Sequence, residues 1–394
     1  MTDIVVLSLE AWDQVWRRNQ HLVAGLLRAD PTVRVLFVEP AADPLYAVLR
    51  DRVVPRRGVG LRLGPVLPEV DPGRLWLLQP TKWLPRVVDP RADLRWARTV
   101  RRAVTRLDFV DPRLWVNDLT GQALLQTTPW PALYDVTDDW LLAQRGSREH
   151  DRLVALERSL LKDADEVVVC SSALVTSKGR DRAVTLIPNA VDLAGYAAVT
   201  ERPTDLPPGP VALYAGTVHR DRIDVELTVA TAAAVGETGR VVLLGPALLD
   251  PPDLRLLTDA GVLVLGARPA GAVPAYLRHA DVLVVPHVVT PFTASLDPIK
   301  RYEYCAAGRL VVATAVGGFV DSGMPRLTIA SRADFPGAVA SALAAAVLGV
   351  AAVGAGPGHG LPPVDSGVPD WADRVRDLHN VLNRLGARTV RRRR

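Results

Sequence analysis

Short apolar runs alternate with longer stretches of helical periodicity along the whole chain. In the first half the runs fall at 4–7, 33–38, 75–78, 114–116, 133–135, 166–170 and 184–187. A second series follows at 211–214, 240–244, 262–265, 282–285, 310–314 and 327–329. Runs this short and apolar suit strands covered on both faces, as in parallel sheets. Between them, 16–28 and 91–106 read as helices, and the small-residue stretch 338–353 reads as a packed helix. Strand and helix in alternation predict an α/β architecture.

The segment 200–210 (TERPTDLPPGP) interrupts the alternation with prolines and polar residues and is the expected linker. It divides the chain into an N-terminal Rossmann-like domain, 1–199, and a C-terminal one, 211–370. Two such parallel-sheet domains facing one another would hold ligands in the cleft at the carboxyl ends of their strands. The Gly-, Ala- and Pro-rich stretch 349–367 reads as a surface loop. After it, 371–385 forms an amphipathic pattern with Val375, Leu378 and Leu382 on one stripe. Residues 371–394 are therefore expected to be a helix and basic tail packing back on the N-terminal domain, with 391–394 as a solvated charge run.

Composition narrows the function classes. Over 394 residues, 48% hydrophobic and 23% charged, the balance is that of a globular protein. The net charge of +4 is too dilute to argue for nucleic acid. Cys170 and Cys305 sit in apolar stretches without metal spacing, which points to a reducing compartment and no metal centre. The first residues lack a basic leader, and no apolar run reaches the ~18 residues that span a bilayer. A cytoplasmic location is expected. Charge is nevertheless uneven: residues 50–106 hold thirteen Arg and one Lys against five acids, interleaved with Trp76, Trp83 and Trp96. Such a stretch is either a solvated basic face or a surface resting on the anionic inner leaflet of the plasma membrane, each cation contributing about 1 kcal/mol.

The chemistry concentrates at 295–308 (SLDPIKRYEYCAAG). Asp297 reads as an N-cap, Pro298 as the first helical residue and Gly308 as the stop. The helix between them would leave backbone N–H groups of Ile299 and Lys300 free as an anion site. Lys300 adds a cation suited to a diphosphate, and Glu303 a carboxylate for the hydroxyls of a ribose. An ordinary capped helix with exposed Lys and Glu is the competing reading.

This segment resembles the nucleotide-sugar signature of glycosyltransferase family 4, the group 1 transferases, and is similar to the subgroup containing teichuronic-acid-type cell-surface transferases. The resemblance runs in order through about residues 211–325. It implies the GT-B fold and a donor ribose on Glu303. The family's first acid falls at Ser295, a departure at the position that contacts the transferred sugar. Gly216 and Thr217 match the glycine turn that opens the donor domain. Arg220 and Arg222 follow where the family holds the diphosphate, with Arg222 favoured and Arg220 its rival. Gly266 and Arg268 fall in the strand-loop whose backbone recognises the base.

On the acceptor side, 12–20 (WDQVWRRNQ) follows the first strand, where the resemblance places Trp12, Arg17 and Arg18 near acceptor and phosphates. Asp138 and Asp139 end an apolar strand and are the leading catalytic candidates; Asp118, which with Asn117 ends the preceding strand, is the next. Each could serve as a base, stabilise charge on the sugar ring, or merely cap a helix. The resemblance thus implies a retaining, metal-independent transfer of sugar from a nucleotide-diphosphate donor to a glycan, lipid-linked or small-molecule acceptor. A GT-B epimerase and an inactive sugar-nucleotide-binding partner are the alternatives. A periplasmic-type binding protein would need an export leader.

Overall fold

A computed structural model describes residues 1–44, 59–84, 86, 88–143, 146–198, 200–320, 322–352 and 367–392. Within these, eight strands build the first sheet: β1 (Thr2–Leu7), β2 (Val33–Val38), β3 (Gly60–Leu63), β4 (Leu75–Gln79), β5 (Arg113–Val116), β6 (Ala132–Val136), β7 (Glu166–Val169) and β8 (Thr185–Leu186). Their order is β3-β4-β2-β1-β5-β6-β7-β8. Every pairing is parallel except β3 with β4. The edge strand β3 was not expected, because its short, half-polar sequence carries no run to find.

Six further strands build the second sheet: β9 (Val211–Ala215), β10 (Arg240–Leu244), β11 (Leu263–Gly266), β12 (Val282–Val285), β13 (Leu310–Ala313) and β14 (Leu327–Ile329). Their order is β11-β10-β9-β12-β13-β14, all parallel. The central strands β9 and β12 are buried throughout, as two-faced burial of short apolar runs requires.

The first long helix spans Arg18–Ala29 rather than 16–28. Gln20 reaches back to cap the Arg17 backbone N–H at 3.1 Å, so Trp16 and Arg17 stay outside it. The helix Phe335–Ala352 covers the second sheet and takes in the start of the expected loop; residues 353–366 lie outside the described residues, as do 50–58, 85 and 87 of the basic stretch. The last helix, Trp371–Arg392, continues past the expected end at 385. Its Val375, Leu378, Leu382 and Leu385 join Leu22, Val23, Leu26 and Leu27 in one apolar core of the first sheet's unit. Gly25 permits that approach, since a Cβ there would collide with Val375. Residues 200–210 lie against the second sheet's unit: Leu206 is in its core, and Arg202 donates to the His279 carbonyl at 3.0 Å.

Hydrogen bonds tie the two units together, among them one from the Asn189 side-chain amide to the Asp297 carbonyl. Ser171 Oγ donates to the Ser295 carbonyl at 2.8 Å, the Asn189 backbone N–H to Asp297 Oδ2 at 2.7 Å, and the Ala270 backbone N–H to the Gln14 carbonyl at 3.0 Å. Residues that follow β1, β5 and β6 in one unit and β9, β10 and β12 in the other line a common cleft of about 1120 Å³.

Candidate active site

The C-terminal wall begins at the turn after β9. Gly216 has φ +140°, and a Cβ there would stand 3.0 Å from Lys300 Nζ and 3.1 Å from the Tyr214 hydroxyl. Glycine is therefore required both by conformation and by space. Gly245, φ +144°, ends β10 the same way, and its own Cβ would collide with the Gly216 carbonyl. The two turns leave backbone exposed to the cleft beside Thr217.

Lys300 reaches this floor from the helix Ile299–Ala307. Its Nζ donates to the Tyr214 hydroxyl at 2.7 Å and stands 3.3 Å from His287 Nε2 and 4.0 Å from the Tyr214 ring centre. Burial, reinforced by Arg222, holds the Lys300 ammonium well below its usual range, with Glu303 opposing. Burial followed by Lys300 and Arg222 also drives His287 well down, leaving it neutral and able to accept. Lys300 and Arg222 share the cleft with Asp138 and Glu303, and these partly matched cations favour an arriving anion. One turn further along, Glu303 also lines the cleft, and burial pushes its carboxyl up to about 7 against the pull of Lys300. Tyr196, an electrostatic neighbour of Glu303, is buried in the same wall with its hydroxyl unpartnered among the described residues.

The helix begins one residue later than expected, and its preceding Pro298 makes no side-chain cap. Asp297 does not cap it. Its carboxylate instead accepts from the Asn189 N–H and, at 3.0 Å, from the Tyr302 hydroxyl, so it fastens the two units. The Arg301 N–H turns back to the Pro298 carbonyl at 3.0 Å, the N–H groups of Ile299 and Lys300 precede the first intrahelical acceptor, and Pro298, Ile299 and Lys300 all line the cleft.

Of the two arginine candidates, Arg222 lines the cleft. Arg220 does not: it is exposed and paired with Glu226 at 2.9 Å and Asp253 at 3.4 Å. Arg268 lines the cleft but is held by Asp205, Tyr276 and the Leu265 carbonyl, so it shapes the loop. Gly266 lies outside the lining, although Arg268, Pro269 and Ala270 of the loop it opens line the cleft; its carbonyl accepts from the Gly245 N–H at 2.9 Å, and Gly245 is in the wall. Ser295 is buried outside the lining, its hydroxyl turned onto the Phe292 carbonyl at 2.8 Å.

The three catalytic candidates separate cleanly. Asp138 lines the cleft, 3.8 Å from Arg222, and burial raises it to about 6 despite that arginine. Asp139 points the other way into a buried ion cluster, 2.8 Å from Lys178 Nζ, which also holds Glu157 at 2.8 Å. Alternate residues of extended chain face opposite sides, so one of an adjacent pair must leave the cleft. Asp118 accepts from the Thr120 N–H at 2.9 Å and caps a short turn; its neighbour Asn117 lines the cleft instead.

On the N-terminal wall, Arg17 lines the cleft, bound to Glu10 at 3.1 Å and Asp13 at 3.3 Å. Arg18 is buried, paired with Asp135 at 3.3 Å and donating to Asn189 Oδ1 at 3.2 Å, which makes it a brace. Trp12 lies outside the lining; its ring meets Phe37 edge-on at 5.0 Å. Glu10, His287 and Tyr196 were missed by sequence reading, since a lone polar residue carries no spacing pattern; Asn117 was named there together with Asp118. Among the described residues no three His, Cys, Asp or Glu side chains group to hold a metal ion, and no helix is long and apolar enough to cross a membrane.

Comparison with solved structures places the fold. HepE from Anabaena, solved with UDP and glucose, superposes at TM-score 0.61 over 97% of this chain and 100% of its own, at 15% identity. The chain has the GT-B fold. WaaG, a glycosyltransferase involved in lipopolysaccharide biosynthesis, gives TM-score 0.60 over 95% of this chain and 94% of its own, at 13% identity. An E. coli structure described as trehalose-6-phosphate bound with UDP-2-fluoro glucose gives 0.60 over 98% and 96%, at 11% identity. Residues 209–349 match the family model described as glycosyl transferases group 1. No curated protein sequence matches the chain.

Proposed function

We propose that the protein is a glycosyltransferase that binds a nucleotide-diphosphate sugar in the C-terminal wall and transfers the sugar to an acceptor hydroxyl entering from the N-terminal wall. The observation that carries this reading is the convergence of Lys300, Arg222 and an uncapped helix start on the Gly216 turn, with Glu303 one turn beyond. The match of residues 209–349 to group 1 transferases supports it, as do the UDP and glucose complexes of HepE.

In this reading the diphosphate lies against the Gly216 backbone, the helix start, Lys300 and Arg222, and the ribose hydroxyls donate to Glu303. Lys300, kept from full charge in the empty pocket, gains its proton when the anion arrives. The acceptor oxygen bonds to the anomeric carbon, the carbon–phosphate oxygen bond breaks with its electron pair, and the hydroxyl proton leaves with the diphosphate. Negative charge growing on the leaving group meets cations already in place, without reorganisation. Asp138 faces the sugar from the opposite wall and offsets positive charge on its ring. Retention of configuration and independence from metal are part of the proposal. They rest on the resemblance and on two cations standing where a metal would otherwise balance the diphosphate. The likeness to teichuronic-acid-type transferases supports a cell-surface glycan precursor, free or lipid-linked, as acceptor.

Product analysis tests the reading. Purified protein is incubated with UDP-, GDP-, dTDP- and ADP-sugars, with and without an acceptor mixture. Nucleoside diphosphate release that depends on acceptor supports transfer. Sugar isomerisation with donor alone would indicate an epimerase, and tight donor binding without turnover an inactive partner.

A further inference from the structure

One wall of the cleft holds a buried donor and a carboxylate that are both without a partner. The other described tyrosine hydroxyls are all engaged. Tyr134 donates to Glu157 at 3.4 Å, Tyr214 to the Thr217 carbonyl at 3.2 Å, Tyr276 to Asp205 at 2.6 Å and Tyr302 to Asp297 at 3.0 Å. Tyr304 accepts from the Ala215 N–H at 2.8 Å and donates to the Val284 carbonyl at 3.4 Å. Tyr196 is the exception. It is 2% exposed, and its hydroxyl is shut from solvent with no hydrogen-bond partner among the described residues. A buried O–H without an acceptor is destabilising, and a native fold rarely keeps one without a use. Its backbone is fixed, because the helix Leu193–Ala197 packs against both Val273–His279 and Ile299–Ala307. Buried Arg278 also holds the Tyr196 carbonyl and, at 3.0 Å, that of Ala198.

Glu303 supplies the missing acceptor. It lies on the helix Ile299–Ala307 and lines the cleft with Tyr196, and its carboxylate has no hydrogen bond among the described residues. Burial, followed by the charge of Glu303, drives the Tyr196 phenol well above its ordinary range, so it keeps its proton for donation. The other titratable groups around the pair offer no rival. Asp192 is exposed to solvent, the Tyr304 hydroxyl is taken, and His279 meets the Thr200 carbonyl at 2.8 Å. Lys300 faces Glu303 from the same helix.

We propose that Tyr196 is a positioning residue for Glu303: when a nucleotide enters, its hydroxyl donates to one carboxylate oxygen and fixes the carboxylate toward the ribose hydroxyls. The pair closes by rotation of the Glu303 side chain, and Tyr196, shut from the cleft at its hydroxyl, acts through Glu303 alone. Each donor that a buried carboxylate accepts favours its charged form. Tyr196 and the ribose together hold Glu303 ionised where burial otherwise leaves it partly protonated near neutral pH. This inference rests on the transferase reading, which puts the ribose on Glu303.

UDP titrations of wild type, Tyr196→Phe, Glu303→Gln and the double variant across acid and alkaline pH test it. Tyr196→Phe should weaken UDP about tenfold at about pH 8, where the lost bond is to a charged carboxylate. The loss should shrink as pH falls and Glu303 keeps its proton. Added to Glu303→Gln, the same substitution should cost less than about threefold, because its partner is gone. Inorganic pyrophosphate, which has no ribose, should bind wild type and Tyr196→Phe alike. The melting temperature of unliganded Tyr196→Phe should not fall, since the hydroxyl removed has no partner. Full UDP affinity in Tyr196→Phe, a loss equal at every pH, an undiminished loss beside Glu303→Gln, weakened pyrophosphate or a lowered melting temperature would each overturn the positioning role. Wild type that binds no UDP, or Glu303→Gln that binds it fully, removes the ribose assignment itself. Loss in Glu303→Gln without loss in Tyr196→Phe removes this inference only.

Discussion

Arg222, beyond β9 in one unit, stands 3.8 Å from Asp138 at the end of β6 in the other. The contact spans the cleft and joins the cation assigned to the donor diphosphate with the carboxylate assigned to the transferred sugar. In the empty cleft each partly matches the other; a bound donor would lie between them and take over both roles.

Arg222→Ala should weaken UDP binding by about 1.5–3 kcal/mol, the usual cost of losing a charge-assisted hydrogen bond. Arg220→Ala, which removes only an exposed pair with Glu226, should change it by less than about 0.5 kcal/mol. Isothermal titration of both variants separates the rivals, and the reverse ranking would move the diphosphate away from the Gly216 turn.

Asp138→Asn should lower kcat by about 10²–10⁴ with little change in donor affinity. The wild-type carboxyl is raised to about 6 by burial, so kcat should climb as pH rises through that value and the charged form accumulates. A pH–rate profile of the variant should lack this limb. Its persistence there would assign the limb to another group.

Glu303 links function to stability. Burial lifts its folded pKa to about 7, well above the ordinary carboxylate range, so the folded protein holds this proton more tightly than the unfolded chain. The stability so gained is full below the unfolded pKa and is lost as pH rises through about 7. Glu303→Gln mimics the protonated form, and at about pH 8 it should stabilise the empty protein by about 1–3 kcal/mol while weakening UDP by about as much. Thermal melts at acid and alkaline pH, with and without UDP, measure both. A variant less stable at alkaline pH, or with full UDP affinity, would contradict the ribose role.

Lys178 sits between Asp139 and Glu157, all three nearly inaccessible. Lys178→Met leaves two buried carboxylates without their cation and should destabilise by about 3–5 kcal/mol, read by urea denaturation. Asp139→Asn keeps one carboxylate matched and should cost less. If Asp139→Asn instead abolished turnover in a fully folded protein, Asp139 rather than Asp138 would be the reacting carboxylate.

Much of this fold was legible because its strands are buried on both faces, which leaves unbroken apolar runs such as 211–214 and 282–285. The helix Ile299–Ala307 was legible too, since Lys300, Glu303 and Gly308 mark a helix and its stop within one segment. What could not be read is direction across space. Asp138 and Asp139 are equivalent in sequence, and only the strand's twist into the turn sends one to the cleft and the other to Lys178. Asp297 looked like a cap until Asn189, 108 residues away, took its carboxylate. Glu10 and His287 join the site through tertiary approach alone.

A crystal structure with bound UDP tests the central claim most directly. The diphosphate should lie within about 3 Å of Lys300 Nζ and the first N–H groups of the helix Ile299–Ala307, with Arg222 turned from Asp138 and the ribose on Glu303. UDP found elsewhere at saturation, with Lys300 still closed on Tyr214 and Arg222 still beside Asp138, would contradict it.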